Sequence, residues 1–251
     1  MTAGFFVVIP ARYDSTRLPG KPLADIGGEA MIVRVAQQAA AAGAIDVTVA
    51  TDDDRVRDVV RQAGFNAELT AASHQSGSDR IFEVVQRRGL GDDDIVLNVQ
   101  GDEPLLPSAL IAQVGQRMQS HSEIAVCTLR EPIGDDEEFN DPNCVKVVTD
   151  KNDRALLFSR AGIPHPRSGS PMSGTAAPRW RHIGLYGYRV GVLAEFVALS
   201  PSTLERQESL EQLRLLENGI DIVVLEACQP APGGVDTPAD LERARRVFER
   251  G

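Results

Sequence analysis

The sequence predicts an α/β fold built on a mostly parallel sheet with helices on its faces, together with a smaller inserted antiparallel lobe. Three observations point there. Short unbroken apolar runs, Phe5-Phe6-Val7-Val8-Ile9 first among them, suit strands buried on both faces. Between these runs lie stretches of helical spacing, so that strand and helix alternate. Beyond residue 140 the rhythm changes to an alternating run, the turn-forming Asp150-Lys151-Asn152-Asp153 and a second short run, which reads as a hairpin. A chain of 251 residues can bury one substantial α/β core. The whole of 1–251 therefore reads as one domain, to which 140–190 contributes the lobe and a loop.

Taken in order, the first strand is 5–9, and Pro10 is expected to end its ladder because it has no N–H to donate. Met31, Ile32, Val35, Ala39 and Ala42 follow helical spacing, and Gly43 supplies the stop. Residues 45–51 read as a strand. Asp52-Asp53-Asp54 then opens a helix, and the acidic cluster is better read as N-terminal caps and dipole partners than as a metal site. A short strand at 65–69 and the polar loop 73–78 lead into a helix with Ile81, Phe82, Val84 and Val85 on its apolar side. Arg80 falls in that helix's first turn, where the dipole disfavours a cation.

Residues 95–99 form the next strand, and Gln100-Gly101-Asp102-Glu103-Pro104 follows at its carboxyl end, where open α/β sheets place their ligands. Asp102 is thus well located for a metal, or is a turn residue, and Gly101 allows close backbone approach. A helix through Leu110, Ile111, Val114 and Met118 and a strand at 124–129 precede the hairpin of 143–149 and 154–159. The Pro-, Ser- and Gly-rich stretch 165–179 reads as a mobile loop. His182 and Tyr186, four apart on a strand-like run, share one face. A helix is expected over 205–218, with Leu210, Leu213 and Leu216 as core. A strand at 220–225 follows, then a last helix with Thr237 as cap and Pro238 in its first turn.

The loop after the first strand is the most chemically loaded stretch. Arg12, Arg17 and Lys21 recur at intervals of four or five on a path held by Pro10, Pro19 and Pro22, so three cations can converge on one polyanion such as a nucleoside triphosphate. Two familiar phosphate loops are excluded. Gly20-Lys21 is followed by Pro22 where a Walker loop needs Ser or Thr, and no G-x-G-x-x-G occurs. The alternative is a solvated basic surface loop.

Over the whole chain the charge balance is acidic, 36 Asp and Glu against 26 Lys and Arg for a net −10, which argues against non-specific binding to nucleic acid or an anionic membrane. Cys127, Cys144 and Cys228 are widely spaced and odd in number, so they indicate neither a disulfide framework nor a zinc site and are expected to be buried thiols. The opening residues lack a charged leader, and the apolar run after them is too short for a membrane span. The expected location is the cytoplasm.

The opening string Ile9-Pro10-Ala11-Arg12-Tyr13, continued by Ser15-Thr16-Arg17-Leu18-Pro19-Gly20-Lys21-Pro22-Leu23, resembles the N-terminal signature of the CMP-Kdo synthetase family, the 3-deoxy-manno-octulosonate (Kdo) cytidylyltransferases. The resemblance continues through His74-Gln75-Ser76-Gly77, Asn98 to Pro104, Val145-Lys146-Val147-Val148, Phe158-Ser159-Arg160, Arg181-His182-Ile183-Gly184, Leu210-Glu211-Gln212-Leu213-Arg214 and Gly234-Val235-Asp236-Thr237-Pro238. Ser78-Asp79 stands where Thr-Glu is more usual.

That resemblance implies a Rossmann-like nucleotidyltransferase sheet and transfer of CMP from CTP to Kdo with release of pyrophosphate, for lipopolysaccharide assembly. It implies a nucleotide site at Ala11, Arg12, Arg17, Lys21, Ser76, Gly77, Arg80 and Gln100. It implies a sugar-acid site at Gln100, Arg160, His182, Tyr186, Glu211 and Gln212. Asp102, Asp236 and Lys21 are the expected catalytic groups, with Asp102 and Asp236 as ligands of a two-Mg2+ site, and a homodimer is expected. The competing readings are CMP activation of another acidic sugar (amino-Kdo or sialic acid), a metal-dependent glycosyltransferase, and a non-catalytic nucleotide-binding regulator; two aspartates matching the metal positions weigh against the last. Without a bound cation, two adjacent carboxylates are expected to repel, so that neutralising one leaves stability unchanged or higher.

Overall fold

The computed structural model describes residues 4–15, 17–74, 76–165 and 178–249. In chain order the elements are β1 (Phe6–Ala11), the small hairpin β2 (Asp25–Ile26) and β3 (Glu29–Ala30), α1 (Met31–Ala41), β4 (Asp46–Thr51), α2 (Asp54–Gln62), β5 (Asn66–Leu69), α3 (Gly77–Arg87), β6 (Ile95–Asn98), α4 (Ser108–Ser120) and β7 (Val126–Pro132). They continue as α5 (Asp136–Asn140), β8 (Lys146–Thr149), β9 (Ala155–Ser159), β10 (Trp180–Arg189), α6 (Val190–Ala198), α7 (Thr203–Glu208), α8 (Gln212–Glu217), β11 (Ile222–Glu226) and α9 (Pro238–Phe248). A 3-10 turn covers Lys21–Leu23.

The main sheet runs β11-β7-β10-β6-β1-β4-β5, with β8 joined to β10 and β9 to β8. β1 is parallel to β4 and β6, β4 to β5, and β7 to β11, while β10 is antiparallel to both β6 and β7. Because β10 reverses once on each side, the carboxyl ends of β6 and β11 fall on the same edge. The segment 140–190, expected to contribute an inserted antiparallel lobe, divides in two. β8 and β9 form the antiparallel hairpin, whereas β10 is an interior strand of the main sheet. The expected loop at 165–179 lies almost wholly outside the described residues.

Strands that are apolar throughout are explained by cover on both faces. Val7, Ile9, Leu97 and Leu129 pack under α1 and α4, and Val8, Val96, Tyr186 and Tyr188 pack under α3, α6 and α8. Each Val, Leu or Ile so buried contributes about 1.5–3 kcal/mol relative to exposure. A third cluster of Ile26, Met31, Val235, Leu241 and Ala244 fastens α9 beside the β2–β3 hairpin and so brings the chain's last loop to its first.

Three expectations are corrected. Pro10 does not end β1 but pairs in register with Ala50, because β6 stops pairing at Val8 and the missing N–H points to that vacant side. The helix expected over 205–218 is two short helices hinged at Ser209, which takes a left-handed φ of 53°. All three thiols are free, but only Cys127 is buried; Cys144 is half-buried and Cys228 exposed. The acidic triplet behaves as expected of caps, with Asp53 accepting from the Arg55 N–H at the start of α2.

Candidate active site

Strand β1 delivers the chain into a loop whose path is set by prolines and by Gly20 in the left-handed region. Its side chains meet the carboxyl end of β6 and the approach to α9. Pro10, Ala11, Arg12, Asp14, Ser15, Arg17, Lys21, Pro22, Gln100, Gly101, Asp102 and Asp236 line one cleft of about 380 Å³. Two glycines permit this convergence. A Cβ on Gly101 would stand 2.8 Å from the Pro10 carbonyl oxygen, and one on Gly234 3.2 Å from that of Asp102. Val235 N–H donates to the same Asp102 carbonyl at 2.8 Å, so the two aspartates are tied through the backbone.

Between those aspartates lies Lys21. Its Nζ donates to Asp102 Oδ2 at 2.7 Å and to Asp236 Oδ1 at 2.9 Å, while Arg17 Nη1 stands 3.9 Å from Asp236 Oδ2. Burial pulls the ammonium down, but the two carboxylates outweigh it and hold Lys21 above its ordinary pKa. Glu103 goes the other way. It keeps part of its surface open to solvent, yet burial of its carboxyl, reinforced by the Asp102 charge, pushes it up to about 8.

A second group of side chains lies deeper, on the α3 and α8 side of the sheet. Phe158, His182, Tyr186, Tyr188 and Phe196 form a continuous ring contact, with centroid separations of 4.9, 5.3, 5.7 and 6.2 Å along the series. A bulge in β10 between Ile183 and Tyr186 inserts two residues and so preserves the parity that keeps His182 and Tyr186 on one face. His182 is half-buried with Nε2 3.1 Å from Thr128 Oγ1, and enclosure of its ring lowers its pKa, leaving the imidazole neutral. The Tyr186 hydroxyl is buried and makes no hydrogen bond of good geometry, although the Thr128 hydroxyl is its neighbour. Glu211 Oε2 accepts from Ser78 Oγ at 3.0 Å, and burial raises its pKa.

The expected residues therefore separate into groups. Ala11, Arg12, Arg17, Lys21, Gln100, Asp102 and Asp236 share the cleft, and Ser76 and Gly77 start α3 beside it, a Gly77 Cβ being 3.4 Å from Pro10. His182 and Tyr186 touch, and Gln212 is buried next to Glu211 at the start of α8. Arg160 is held by carbonyls at the α7–α8 hinge, donating from Nε to Glu208 O at 2.7 Å. Arg80 is fully buried, with Nη2 2.7 Å from Asp52 Oδ2, Nη1 on Thr70 Oγ1 and Nε unpartnered. The Asp52 pair explains how a cation is tolerated in the first turn of α3.

Several neighbours were not foreseen. Glu208 accepts from Ser159 Oγ and the Arg160 N–H, and so fixes the end of β9 against the hinge. Arg181 pairs with Glu131 and donates to the Ala231 carbonyl. Ser78 anchors Glu211. Only the α3 start carried a readable signal, since Ser76 and Asp79 form a capping box at the spacing that motif requires.

A mostly parallel sheet that gathers cations and two carboxylates at its carboxyl edge suits a nucleotidyltransferase. The family model described as cytidylyltransferase matches residues 6–222, and the chain belongs to that family. More closely, it is 51% identical to the 3-deoxy-manno-octulosonate cytidylyltransferase of Cellvibrio japonicus, over 98% of this chain and 99% of that one. It is 49% identical to the enzyme of the same name from Pseudomonas syringae pv. syringae, over 99% and 100%. A solved structure of CMP:2-keto-3-deoxy-manno-octonic acid synthetase complexed with CTP superposes with a TM-score of 0.90 at 42% identity, covering 98% of this chain and 99% of that one. A nucleotidyl transferase from Methanothermobacter thermautotroptrophicus shares the fold, with a TM-score of 0.60 at 15% identity.

Proposed function

We propose that this chain transfers CMP from CTP to the anomeric hydroxyl of Kdo and releases pyrophosphate, activating the sugar acid for lipopolysaccharide assembly in the cytoplasm, as a homodimer. The observation that carries the reading is the convergence of Asp102, from the end of β6, with Asp236, from the approach to α9, beneath the cations of the opening loop. Both substrates are anionic, so the reaction must overcome charge repulsion as well as weak nucleophilicity of a hydroxyl toward phosphorus. Arg12, Arg17 and Lys21 answer the charge on the triphosphate and on the leaving pyrophosphate. On the acceptor side, Arg160, His182, Tyr186, Glu211 and Gln212 would orient the sugar acid, and the buried Tyr186 hydroxyl, which makes no hydrogen bond of good geometry beside Thr128, supports that assignment with capacity left for a ligand oxygen. Among the described residues no nucleophile stands with a base in the cleft lining, which favours direct in-line displacement.

Mg2+ fits the cleft. It is characteristically held by one or two carboxylates plus substrate phosphates rather than by an all-protein cage. Among the described residues no group of three or more His, Cys, Asp or Glu could hold a metal, but Asp102 and Asp236 share a cation already, the Lys21 ammonium. When bound, two Mg2+ ions at these aspartates would neutralise phosphate charge and acidify the sugar hydroxyl. Among the described residues no helix is long and apolar enough to cross a membrane.

The test is pyrophosphate release with CTP, UTP, ATP and GTP, each against Kdo, an amino-Kdo and sialic acid. Turnover with CTP and Kdo is expected to exceed every other pairing. Preference for sialic acid or amino-Kdo would move the acceptor assignment, and release without any sugar acid would remove it.

A further inference from the structure

Lys21 holds the place that a cation shared by Asp102 and Asp236 would take. It makes two short charge-assisted hydrogen bonds, of 2.7 and 2.9 Å, to carboxylates far apart in the chain, and only 13% of its side chain is exposed. The backbones that carry the two carboxylates are held together. Val235 N–H is bonded to the Asp102 carbonyl, Gly234 packs against that same oxygen, and α9 is anchored behind them by Val235, Leu241 and Ala244. The backbone therefore holds the two aspartates close together, where one cation can serve both carboxylates. Arg17, at 3.9 Å from Asp236 and largely exposed, is too distant to serve both.

A metal ion entering the nucleotide-free cleft must expel the Lys21 ammonium from both carboxylates, which among the described residues are the acceptors of its side-chain hydrogen bonds. With a nucleotide present the exchange is different, because Lys21 lines the same cleft as Arg12 and Arg17 and can pass from the carboxylates to phosphate oxygens. We propose that Lys21 is the internal counter-ion of the metal site and a positioning residue for it, so that metal loads together with the nucleotide and only weakly before it. By linkage, the metal then raises nucleotide affinity by the same factor that nucleotide raises metal affinity. This rests on the reading of Asp102 and Asp236 as metal ligands.

The experiment is Mn2+ binding followed by the electron paramagnetic resonance of the free ion, with and without CTP and corrected for CTP alone. Wild type, Lys21→Met, Lys21→Arg and Lys21→Met/Asp236→Asn would be compared, with Lys21→Gln replacing Lys21→Met if the latter fails to fold. Without nucleotide, Lys21→Met is expected to bind Mn2+ about tenfold more tightly than wild type or beyond. Lys21→Arg, which keeps the charge, is expected to stay near wild type, and Asp236→Asn to erase the gain. Nucleotide-free binding by Lys21→Met no tighter than wild type, while wild type takes up Mn2+ with CTP, would overturn the counter-ion role and leave the metal site standing. Failure of every protein to bind Mn2+ even with CTP would overturn the metal site itself, and the counter-ion role with it.

Discussion

The two halves of the site manage charge in opposite ways. At the cleft mouth the carboxylates are solvated, Asp236 with 61% of its side chain exposed, and their charges are balanced by a lysine from a loop. Along β10 the polar groups are sunk among rings, His182 is neutral, Glu211 is pushed toward protonation, and the Tyr186 hydroxyl lacks a well-formed partner. The contrast teaches what each half is built to receive. An open, charge-balanced cleft exchanges one cation for another at little cost only when a polyanion arrives to take up the displaced ammonium. A buried group of polar side chains would, on the proposed reading, select a ligand by shape and by polar atoms placed to meet it.

The sharpest break of this comparison is at the mouth. Asp102→Asn or Asp236→Asn is expected to reduce turnover by roughly 10²–10³-fold, with the double variant little worse than either single one, because members of one unit are not additive. Full activity of Asp236→Asn at limiting Mg2+ would reduce that residue to a helix-cap neighbour. Lys21 also changes the stability expectation. With an ammonium between the carboxylates, neutralising one removes an ion pair rather than a repulsion, so in chelator the melting temperature should fall slightly instead of rising, by the equivalent of about 0–1 kcal/mol.

The closed half depends on the hinge that carries Glu211. Arg214 donates to both carboxylate oxygens of Glu205 and ties α8 back to α7. Arg214→Met would leave Glu205 covered without its partner, at about 2–3 kcal/mol by chemical denaturation, at the low end for a covered pair because it lies close beneath the surface. Loss of Kdo saturation with intact CTP binding should accompany it.

Glu103 sharpens the electrostatic side. Its folded carboxyl keeps a proton up to about pH 8, whereas the unfolded one releases it near 4.5. Between those values the folded state binds more protons, so the stability this group contributes is complete below pH 4.5 and is lost as pH rises toward 8. Glu103→Gln should flatten that decline in metal-free protein and stabilise it by about 1–2 kcal/mol at pH 8. An unchanged pH profile would show that the carboxyl is ionised throughout. The smallest effect is expected at Tyr186→Phe, where losing a buried hydroxyl without a good partner should raise stability by about 1 kcal/mol or less and yet weaken Kdo saturation. A variant that saturates normally with Kdo would take that hydroxyl out of the acceptor site.

How much was legible beforehand differs between the halves in the same sense. Residues whose role is local were readable. Asp53, Ser76 and Thr237 cap the helices they precede, and the apolar runs 5–9 and 95–99 became buried strands because parallel strands covered on both faces admit little else. The basic loop was visible as three cations between prolines, and the resemblance carried Asp102 and Asp236. Spacing along the chain could not show that Lys21 lies between those carboxylates, that Arg80 spends its charge on Asp52, or that Ser78 holds Glu211. Nor could a 3.6-residue pattern reveal the break at Ser209, since both short helices keep it.

The sequence by itself determined the alternation of strand and helix, the caps, the charged loop and the family, because each depends on residues within a turn or two of one another or on a motif preserved in order. The tertiary structure decided the partners. Inserting antiparallel β10 between β6 and β7 sets which strand ends share an edge, and the α9 cluster sets how near Asp236 comes to Asp102. Those distances arise from the packing of segments far apart in the chain, and the preference for charged groups to meet a partner when water is withdrawn then assigns each lysine, arginine and carboxylate its neighbour.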